Sequence, residues 1–210
     1  MELYKARIQI LVVCANGDSK DNVDTTNNII RTFYSNTISR PSYNITSVNP
    51  DKPEKNILYD YHIQGTFGAL DFKLDNKYDI VIFQGCMTGV PNPMNIFDQP
   101  NTLETLFNCL KLNGFWLNLT NGYAIGPIET SQQEREDATK KLKHDIEKNF
   151  LRTSQYDVSI NIPFGLKQQY DVWRKIGNEY CKVVSFTNNN NTEKKHGIFI
   201  TSRILDIDDA

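Results

Sequence analysis

Two short runs of nearly uninterrupted apolar residues constrain the fold of this chain more than any other feature. The first run is Ile8 to Cys14, and the second is Tyr78 to Gln84. Strands that are covered on both faces show this pattern, because polar residues do not alternate along either face. Such strands are typical of parallel sheets with helices on both sides. The two runs therefore predict the centre of a parallel sheet.

Further strands and helices alternate along the chain. Apolar residues at helical spacing predict a helix around Ile29 to Tyr34, with Asp24 or Thr25 as its N-cap. A capping-box pattern begins at Asn101, and a long helix with early acids and late bases spans roughly residues 131–151. The other predicted strands are Tyr43 to Val48, Tyr61 to Phe67 and Phe115 to Leu119. This alternation predicts right-handed crossovers and a mostly parallel sheet.

The C-terminal part is expected to add antiparallel strands. A helix is predicted around Gln168 to Ile176, followed by strands at Tyr180 to Phe186 and Gly197 to Ile204 with a polar hairpin loop between them. The predicted fold class is therefore α/β: a three-layer α/β/α Rossmann-like sheet, mostly parallel, with an antiparallel C-terminal hairpin strand. A chain of 210 residues suits one such domain, and we predict a single domain over residues 1–210.

The composition is that of a globular protein and favours some partners over others. A net charge of −2 and a pI near 5.9 do not favour a nucleic-acid partner, although a local basic patch would still permit one. We recognise no signal peptide and no membrane-spanning segment, so we expect a cytoplasmic protein without a membrane partner. Frequent asparagine, as in Asn188 to Asn191, suggests an AT-rich coding genome such as that of a large DNA virus. The sequence does not indicate an oligomeric state.

The cysteines predict neither a metal site nor a redox motif. They are scattered through apolar segments and share no CxxC or cysteine–histidine spacing. Their positions are Cys14, Cys86, Cys109 and Cys181. We therefore expect buried, reduced thiols, as is usual in an intracellular protein.

Three segments of this chain resemble class I S-adenosylmethionine-dependent methyltransferases, whose Rossmann-like sheet is closed by an antiparallel seventh strand. His62 to Phe83 is similar to the family's third and fourth strands, the latter opened by an aromatic-Asp pair, here Tyr78-Asp79. Leu103 to Thr120 looks like the following helix, Lys-x-x-Gly turn and fifth strand, with Gly114 as the helix C-cap. Tyr170 to Phe186 looks like the family's last helix and sixth strand.

The resemblance implies S-adenosylmethionine as the cofactor, bound outside the C-terminal ends of the strands. Gly17 would permit close backbone approach to the methionine part. Asn49 or Asp51 would reach the ribose hydroxyls, whereas Thr66 and Phe67 would lie near adenine. The implied cofactor-binding residues are Ala15, Asn16, Gly17, Asp18, Asn49, Asp51, Thr66, Phe67, Gln84, Gly85 and Cys86. The methyl acceptor, a small molecule or a macromolecule, and the catalytic residues are not indicated.

A second hypothesis is a catalytically inactive, methyltransferase-like protein with a binding or regulatory role. Gly17 is the only glycine in the first loop, where the family carries two or three. Asn49 and Thr66 stand where the family has acidic residues after strands two and three. The loop after strand four also lacks the Asn-Pro-Pro-aromatic signature of amino-group methylation. These departures concern the site and not the order of elements.

A third hypothesis is a GDSL-type serine hydrolase. The tripeptide Gly17-Asp18-Ser19 follows the first buried strand, where Ser19 would be the nucleophile and Gly85 would help to stabilise an oxyanion. This chemistry requires a histidine base, for which the chain offers three candidates. They are His62, His144 and His196. The family's other sequence blocks are missing, and Gly-Asp-Ser is also ordinary turn chemistry.

Overall fold

The two apolar runs form the centre of the sheet because both of their faces are covered. The computed structural model describes residues 7–15, 20–35, 42–51, 59–75, 77–84, 96–99, 101–119, 131–156, 158–161 and 167–177. Strand β1 (Ile8–Val13) buries its last four residues, and strand β4 (Tyr78–Phe83) buries every residue except Asp79. Both predicted central strands are therefore confirmed.

The strands of the described residues join in one mixed sheet. The other strands are β2 (Tyr43–Asn49), β3 (Tyr61–Gln64), β5 (Leu110–Leu119), β6 (Phe150–Arg152), β7 (Val158–Asn161) and β8 (Lys167–Lys175). Their order is β3-β2-β1-β4-β5-β8-β6, and β7 also pairs with β8. Strands β1 to β5 pair in parallel, whereas β8 is antiparallel to β5, β6 and β7. The predicted α/β fold, with a mostly parallel sheet and an antiparallel hairpin strand, is confirmed.

Helix α1 (Lys20–Ser35) covers one face of the sheet. Its residues Ile29, Ile30 and Phe33 belong to a buried cluster that includes side chains of β1, β4, β5 and β8. The same cluster contains Val158 and Ile160, so α1 also packs against β7. The parallel strands and the β7–β8 hairpin therefore share one hydrophobic core.

Aromatic rings fill the other face, where helix α2 (Thr102–Cys109) lies. The Trp116 ring centroid is 5.4 Å from that of Phe83 and 5.6 Å from that of Phe150. Phe107 of α2 in turn packs edge-on against Phe150, with 6.2 Å between the centroids. Because successive strand residues point to opposite faces, this cluster and the α1 cluster are distinct.

Helix α3 (Gln132–Asn149) matches the predicted long helix to within two residues at each end. The Ser131 side chain accepts a hydrogen bond from the Glu134 backbone, and the Glu134 carboxylate accepts one from Ser131 N at 3.0 Å. This reciprocal capping box satisfies two amide groups that the helix leaves without an internal partner. Asn101 precedes α2 as predicted, but its side chain makes no capping hydrogen bond.

The predicted N-cap of α1 is wrong, because the helix begins at Lys20 and contains both Asp24 and Thr25. Thr26 lies on the buried face one turn before Ile29 and Ile30, and it is fully buried. The inward-facing stripe also includes Val23, which packs against the buried cluster one turn before Thr26. The predicted start of the helix was too late because the polar Thr26 interrupts the apolar spacing between Val23 and Ile30.

The helix predicted at Gln168 to Ile176 is a strand, β8, and the resemblance to a last helix fails in the same place. Trp116 pairs with Trp173, and Leu117 pairs with Val172. Because β8 is central among antiparallel neighbours, its residues 170–173 are all buried. Burial on both faces removes the alternation that marks a strand, and short apolar runs then resemble a helix.

Gly114 does not cap α2, which ends at Cys109 and continues directly into β5. The pairing of β5 with β4 is interrupted near the start of β5, between Leu110 and Phe115. Within this interruption Asn113 adopts the left-handed φ of 64°. A Cβ at Gly114 would lie 2.9 Å from Lys111 O and 3.1 Å from Asp79 O. Glycine is therefore required there for close backbone approach.

The predicted strands at residues 180–186 and 197–204 lie outside the described residues. All described residues belong to one compact unit, residues 1–178. A single domain over residues 1–210 stays a prediction. In the described part of the chain, every helix is too short or too polar to cross a membrane.

Candidate functional site

The strand order reverses between β1 and β4, and we call the region outside their C-terminal ends the crevice. The chain proceeds from β1 outwards to β2 and β3, and then returns to the other side of β1 with β4 and β5. Open α/β sheets bind ligands at such a reversal point, outside the carboxyl ends of the strands. The predicted residues found at these strand ends are Ala15, Asn49, Asp51, Thr66, Phe67 and Gln84. The remaining predicted residues, Asn16, Gly17, Asp18, Gly85 and Cys86, lie outside the described residues.

A left-handed turn ends β1. Cys14 has φ of 65°, and its N–H donates to Val48 O at 2.9 Å. Ala15 follows and is fully buried, so it contributes a closely packed wall and no exposed side chain. Cys14 is disulfide-bonded, whereas Cys109 is a buried free thiol.

The expectation of reduced cysteines is therefore confirmed for Cys109 and wrong for Cys14. Disulfides persist mainly in oxidising compartments, and cytosolic ones are usually transient. The cytoplasmic location stays a prediction.

Polar side chains stand at the end of β2. Asn49 is partly exposed and Asp51 is exposed. The Asn49 Oδ1 atom accepts a hydrogen bond from Asp51 N at 3.4 Å, and Gln64 Nε2 donates to Pro50 O at 3.3 Å. The turn after β2 thus holds a carboxylate and an amide side by side at the edge of the sheet.

The segment after β3 joins the crevice to α2. Thr66 is partly exposed, whereas the ring of Phe67 is only 2% exposed and packs 5.5 Å from that of Phe83. Gly68 has φ of +87°, and a Cβ there would lie 2.9 Å from Thr102 N. The chain therefore passes tightly against the N-terminus of α2, and Phe67 serves the aromatic core.

Gln84, after β4, belongs to a buried group of hydrogen-bonded residues that we call the Gln84 cluster: Asn22, Thr26, Tyr59 and Gln84. Gln84 is 4% exposed, and its Nε2 donates to Asn22 O at 2.8 Å. Its Oε1 accepts from the Thr26 hydroxyl. The Thr26 hydroxyl also lies 2.8 Å from the Tyr59 hydroxyl and 2.9 Å from Asn22 O. The cluster joins α1, the segment before β3 and the end of β4.

The single hydroxyl proton of Thr26 fixes the direction of these bonds. Thr26 has two carbonyl-type acceptors nearby and one proton to donate, so Tyr59 must donate to Thr26. Burial raises the pKa of the Tyr59 hydroxyl above its ordinary value. The tyrosine is therefore a neutral donor at physiological pH.

Sequence reasoning included Gln84 but missed its partners Thr26 and Tyr59. Thr26 carried a usable signal, because it lies at helical spacing before Ile29 and Ile30. Nothing in the sequence indicated Tyr59, since this residue is far from Thr26 and Gln84 in sequence and lies in no strand or helix.

Some of the described residues have exposed polar side chains that suit an S-adenosylmethionine site, whereas others are buried. Asn49 and Asp51 keep polar side chains partly or fully exposed at the end of β2, as contacts with ribose hydroxyls would require, and Thr66 is partly exposed on the predicted adenine side. Gln84 and Phe67 face the interior, so their side chains serve packing and internal hydrogen bonds.

The hydrolase hypothesis gains no support from the described histidines. His62 Nδ1 lies 2.8 Å from Ser47 Oγ, but Ser47 is fully buried and inaccessible to a substrate. His144 is exposed on α3. Ser19 and His196 lie outside the described residues. Among the side chains that the structure describes, no group of three or more His, Cys, Asp or Glu residues is arranged to hold a metal ion.

In sequence, the chain matches no protein-family model and no curated protein. In structure it is similar to a mutant of the 16S rRNA (adenine(1408)-N(1))-methyltransferase from Catenulisporales acidiphilia, with 13% identity, 81% of this chain and 87% of that chain covered, and a TM-score of 0.43. It is also similar to an rRNA methylase from Streptococcus thermophilus, with 14% identity, coverage of 81% and 89%, and a TM-score of 0.42.

Because both TM-scores lie below 0.5, we assign the fold from the order and direction of the strands in the sheet. Its first five strands have the parallel Rossmann order 3-2-1-4-5. An antiparallel strand, β8, then inserts beside β5, with β6 and β7 outside it. This is the sheet that the resemblance implied. The chain therefore has the Rossmann-like fold of the class I S-adenosylmethionine-dependent methyltransferases.

Proposed function

We propose that this chain is an S-adenosylmethionine-dependent methyltransferase with its cofactor in the crevice between β1 and β4. The observation that carries the proposal is the reversal of strand order at β1 and β4, with polar side chains beside it at the end of β2.

Different residues around the crevice would contact different parts of the cofactor. Asn49 or Asp51 would accept hydrogen bonds from the ribose hydroxyls, and Thr66 would lie on the adenine side. Gly17 would let the first loop approach the methionine part. Methyl transfer breaks the bond between sulfur and the methyl carbon while the acceptor forms a bond to that carbon and loses a proton. The protein contributes mainly proximity and in-line orientation to such a step.

Titration calorimetry with S-adenosylmethionine and S-adenosylhomocysteine tests this proposal. We expect binding with Kd below about 1 mM, because the sheet already fixes the strand ends that would hold the cofactor. Asp51→Ala should weaken binding about tenfold if its carboxylate holds the ribose. Asp75→Ala is the matched control, since Asp75 is exposed and precedes β4 at the opposite end of the sheet. Failure of both ligands to bind would contradict the proposal.

A second candidate is a non-catalytic binding protein with the same fold. One observation favours it: the Gln84 side chain, which follows β4 where the transfer site would be, is committed to Asn22 and Thr26. Cofactor binding without methyl transfer to any of a panel of small-molecule, peptide and RNA acceptors would favour this candidate. Release of S-adenosylhomocysteine with one acceptor would exclude it.

A further inference from the structure

Two neighbouring pockets lie at the end of the sheet opposite the crevice. We call the first the aromatic pocket. Its volume is about 250 Å³, and it is lined by the starts of β1, β4 and β5 together with Phe33 and Tyr34 of α1. We call the second the arginine pocket. Its volume is about 310 Å³, and residues 151–156 and Arg174 line it. Phe115 and Tyr156 line both pockets, so the two volumes adjoin.

An interruption between β6 and β7 builds the shared wall. Residues Ser154–Tyr156 leave the sheet as a single 3-10 turn, while Thr153 N–H still donates to Val172 O at 2.7 Å. The Tyr156 ring packs 5.3 Å from that of Phe115 and 5.5 Å from that of Phe33. Two partly exposed rings therefore separate the pockets. Irregularities of this kind in a sheet often lie beside binding sites.

The arginine pocket carries positive charge. Of the described residues that line it, Arg152 and Arg174 are charged and none is acidic. The buried Asp171 carboxylate holds Arg152 Nη2 at 2.7 Å.

Arg152 pairs with Trp173, whereas Arg174 pairs with Phe115, so the two guanidinium groups lie on opposite faces of the sheet and only Arg174 faces the rings. Arg174 is exposed, forms no ion pair with a described residue, and donates to Asn113 Oδ1. Planar guanidinium groups recognise phosphate through paired N–H donors.

The aromatic pocket combines ring surfaces with a polar rim. Lys111 Nζ lies 2.9 Å from both carboxylate oxygens of Asp79, and both side chains are partly exposed at the pocket. Asn113 adds an exposed amide. Ring faces with donors and acceptors at one edge suit a planar heterocycle. Each pocket alone is near or below the usual size of a ligand site, whereas the two together fall within it.

We propose that the two pockets form one site for a nucleoside monophosphate. The phosphate binds to Arg174, and the base enters the aromatic pocket against Phe115 and Tyr156. This site is separate from the crevice, and its existence does not depend on the proposed methyl transfer.

The test is titration calorimetry of the whole chain with AMP, GMP, CMP and UMP, each beside its nucleoside, and with inorganic phosphate. S-adenosylhomocysteine at about 1 mM is present throughout to occupy the crevice. We expect at least one nucleotide to bind with Kd below about 1 mM, and its nucleoside and free phosphate to bind at least about tenfold more weakly. Phosphate binding as tightly as every nucleotide would overturn the role of the aromatic pocket. Absence of all binding up to about 10 mM would overturn the site.

Two arginine variants locate the binding. Arg174→Met should weaken nucleotide binding at least about tenfold, and Arg174→Lys should weaken it less, because lysine keeps the charge but loses the fork of donors. Arg31→Met is the matched control, since Arg31 is an exposed arginine on α1 that lines neither pocket. Equal nucleotide affinity in Arg174→Met and the unmodified chain would overturn the proposal. Binding of S-adenosylhomocysteine should be the same in all variants, so a failure of the proposed function is seen separately.

Discussion

The two ends of the parallel strands bury polar groups in different ways. At the crevice end, the Gln84 cluster joins neutral side chains. At the opposite end, Lys175 is 2% exposed, and its Nζ donates to Phe107 O at 2.7 Å and Leu110 O at 2.8 Å. The same ammonium group lies 4.1 Å from the centroid of the Phe107 ring.

The difference shows which end of the sheet is fixed most firmly. Lys175 satisfies carbonyl groups at the C-terminus of α2, where a cation is also favoured by the helix dipole. A buried charge must keep such partners, because losing them costs far more than losing a neutral hydrogen bond. The neutral Gln84 cluster can be rearranged at a lower cost. The crevice end is thus the more adaptable one, as expected of a ligand site.

The largest expected effect is that of Lys175→Met. Methionine retains the packing against Phe107 but leaves two buried carbonyl groups without their donor, so we expect the free energy of unfolding to fall by about 3 kcal/mol. Urea denaturation measures this loss. Lys111→Met is the control at the same end, because the Lys111–Asp79 pair is half-exposed and should contribute less than about 1 kcal/mol. If both variants lost the same free energy of unfolding, the buried Lys175 would stabilise the fold no more than the half-exposed Lys111.

Reduction of the disulfide at Cys14 tests the crevice end. The possible partners within the chain are Cys86 and Cys181, which lie outside the described residues. Peptide mapping without reductant identifies the cysteine that is linked to Cys14. Reduction should lower the free energy of unfolding by about 2–3 kcal/mol. Cys14→Ser should show the same loss and no further response to reductant.

Gln84→Leu should have a smaller effect, a loss of about 1–2 kcal/mol, because it removes two buried hydrogen bonds but leaves the Thr26 hydroxyl able to donate to Asn22 O. Thr26→Val alone should also lower stability, because it leaves the buried Tyr59 hydroxyl without its acceptor. The loss in the double variant should be smaller than the sum of the two single losses, since the Thr26–Gln84 bond is lost only once. Urea denaturation of the two single variants and the double variant measures the coupling. Strictly additive losses would show that the cluster does not act as a unit.

The two central parallel strands were predictable because their physical signal is local. Ile8 to Val13 and Tyr78 to Phe83 are buried on both faces, and their apolar runs show it directly. At β8 a similar apolar run was predicted to be a helix. Flanking antiparallel strands bury this strand on both faces, so its sequence lacks the alternation of a strand. Whether such a run is a strand or a helix depends on neighbours that the local sequence does not reveal.

The site was less predictable than the fold. The switch-point rule located the ends of β1 and β4, but it did not show which side chains face outwards. Gln84 faces Thr26 and Asn22 because a hydroxyl from α1 and a carbonyl group meet its amide, and Tyr59 reaches the same point from a distant segment. Such a network depends on tertiary placement and leaves no sequence pattern. Cys14 likewise has no motif that would indicate its cross-link.

The smallest predicted effect is the pH dependence of the Lys175 end. Burial lowers the pKa of Lys175 below its ordinary value of 10.5, and the neighbouring Cys109 thiol opposes this as it ionises. The unfolded chain therefore binds more protons than the folded chain between the lowered pKa and pH 10.5. Stability contributed by this group consequently rises with pH in that window, with a slope below about 1.4 kcal/mol per pH unit. Below the window both states are protonated, and above it both are neutral.

The comparison of Lys175 with Lys175→Met in a shared Cys109→Ala background isolates this effect. Burial raises the pKa of the Tyr170 hydroxyl, which makes stability fall at high pH, but that contribution is common to both proteins and cancels in their difference. We expect the stability advantage of the lysine protein to grow as pH approaches 10.5, as measured by urea denaturation at stepped pH. An advantage that shrinks over this range would mean that the carbonyl partners stabilise the ammonium form more than burial destabilises it, and the Lys175 end would then be held by charge at every pH.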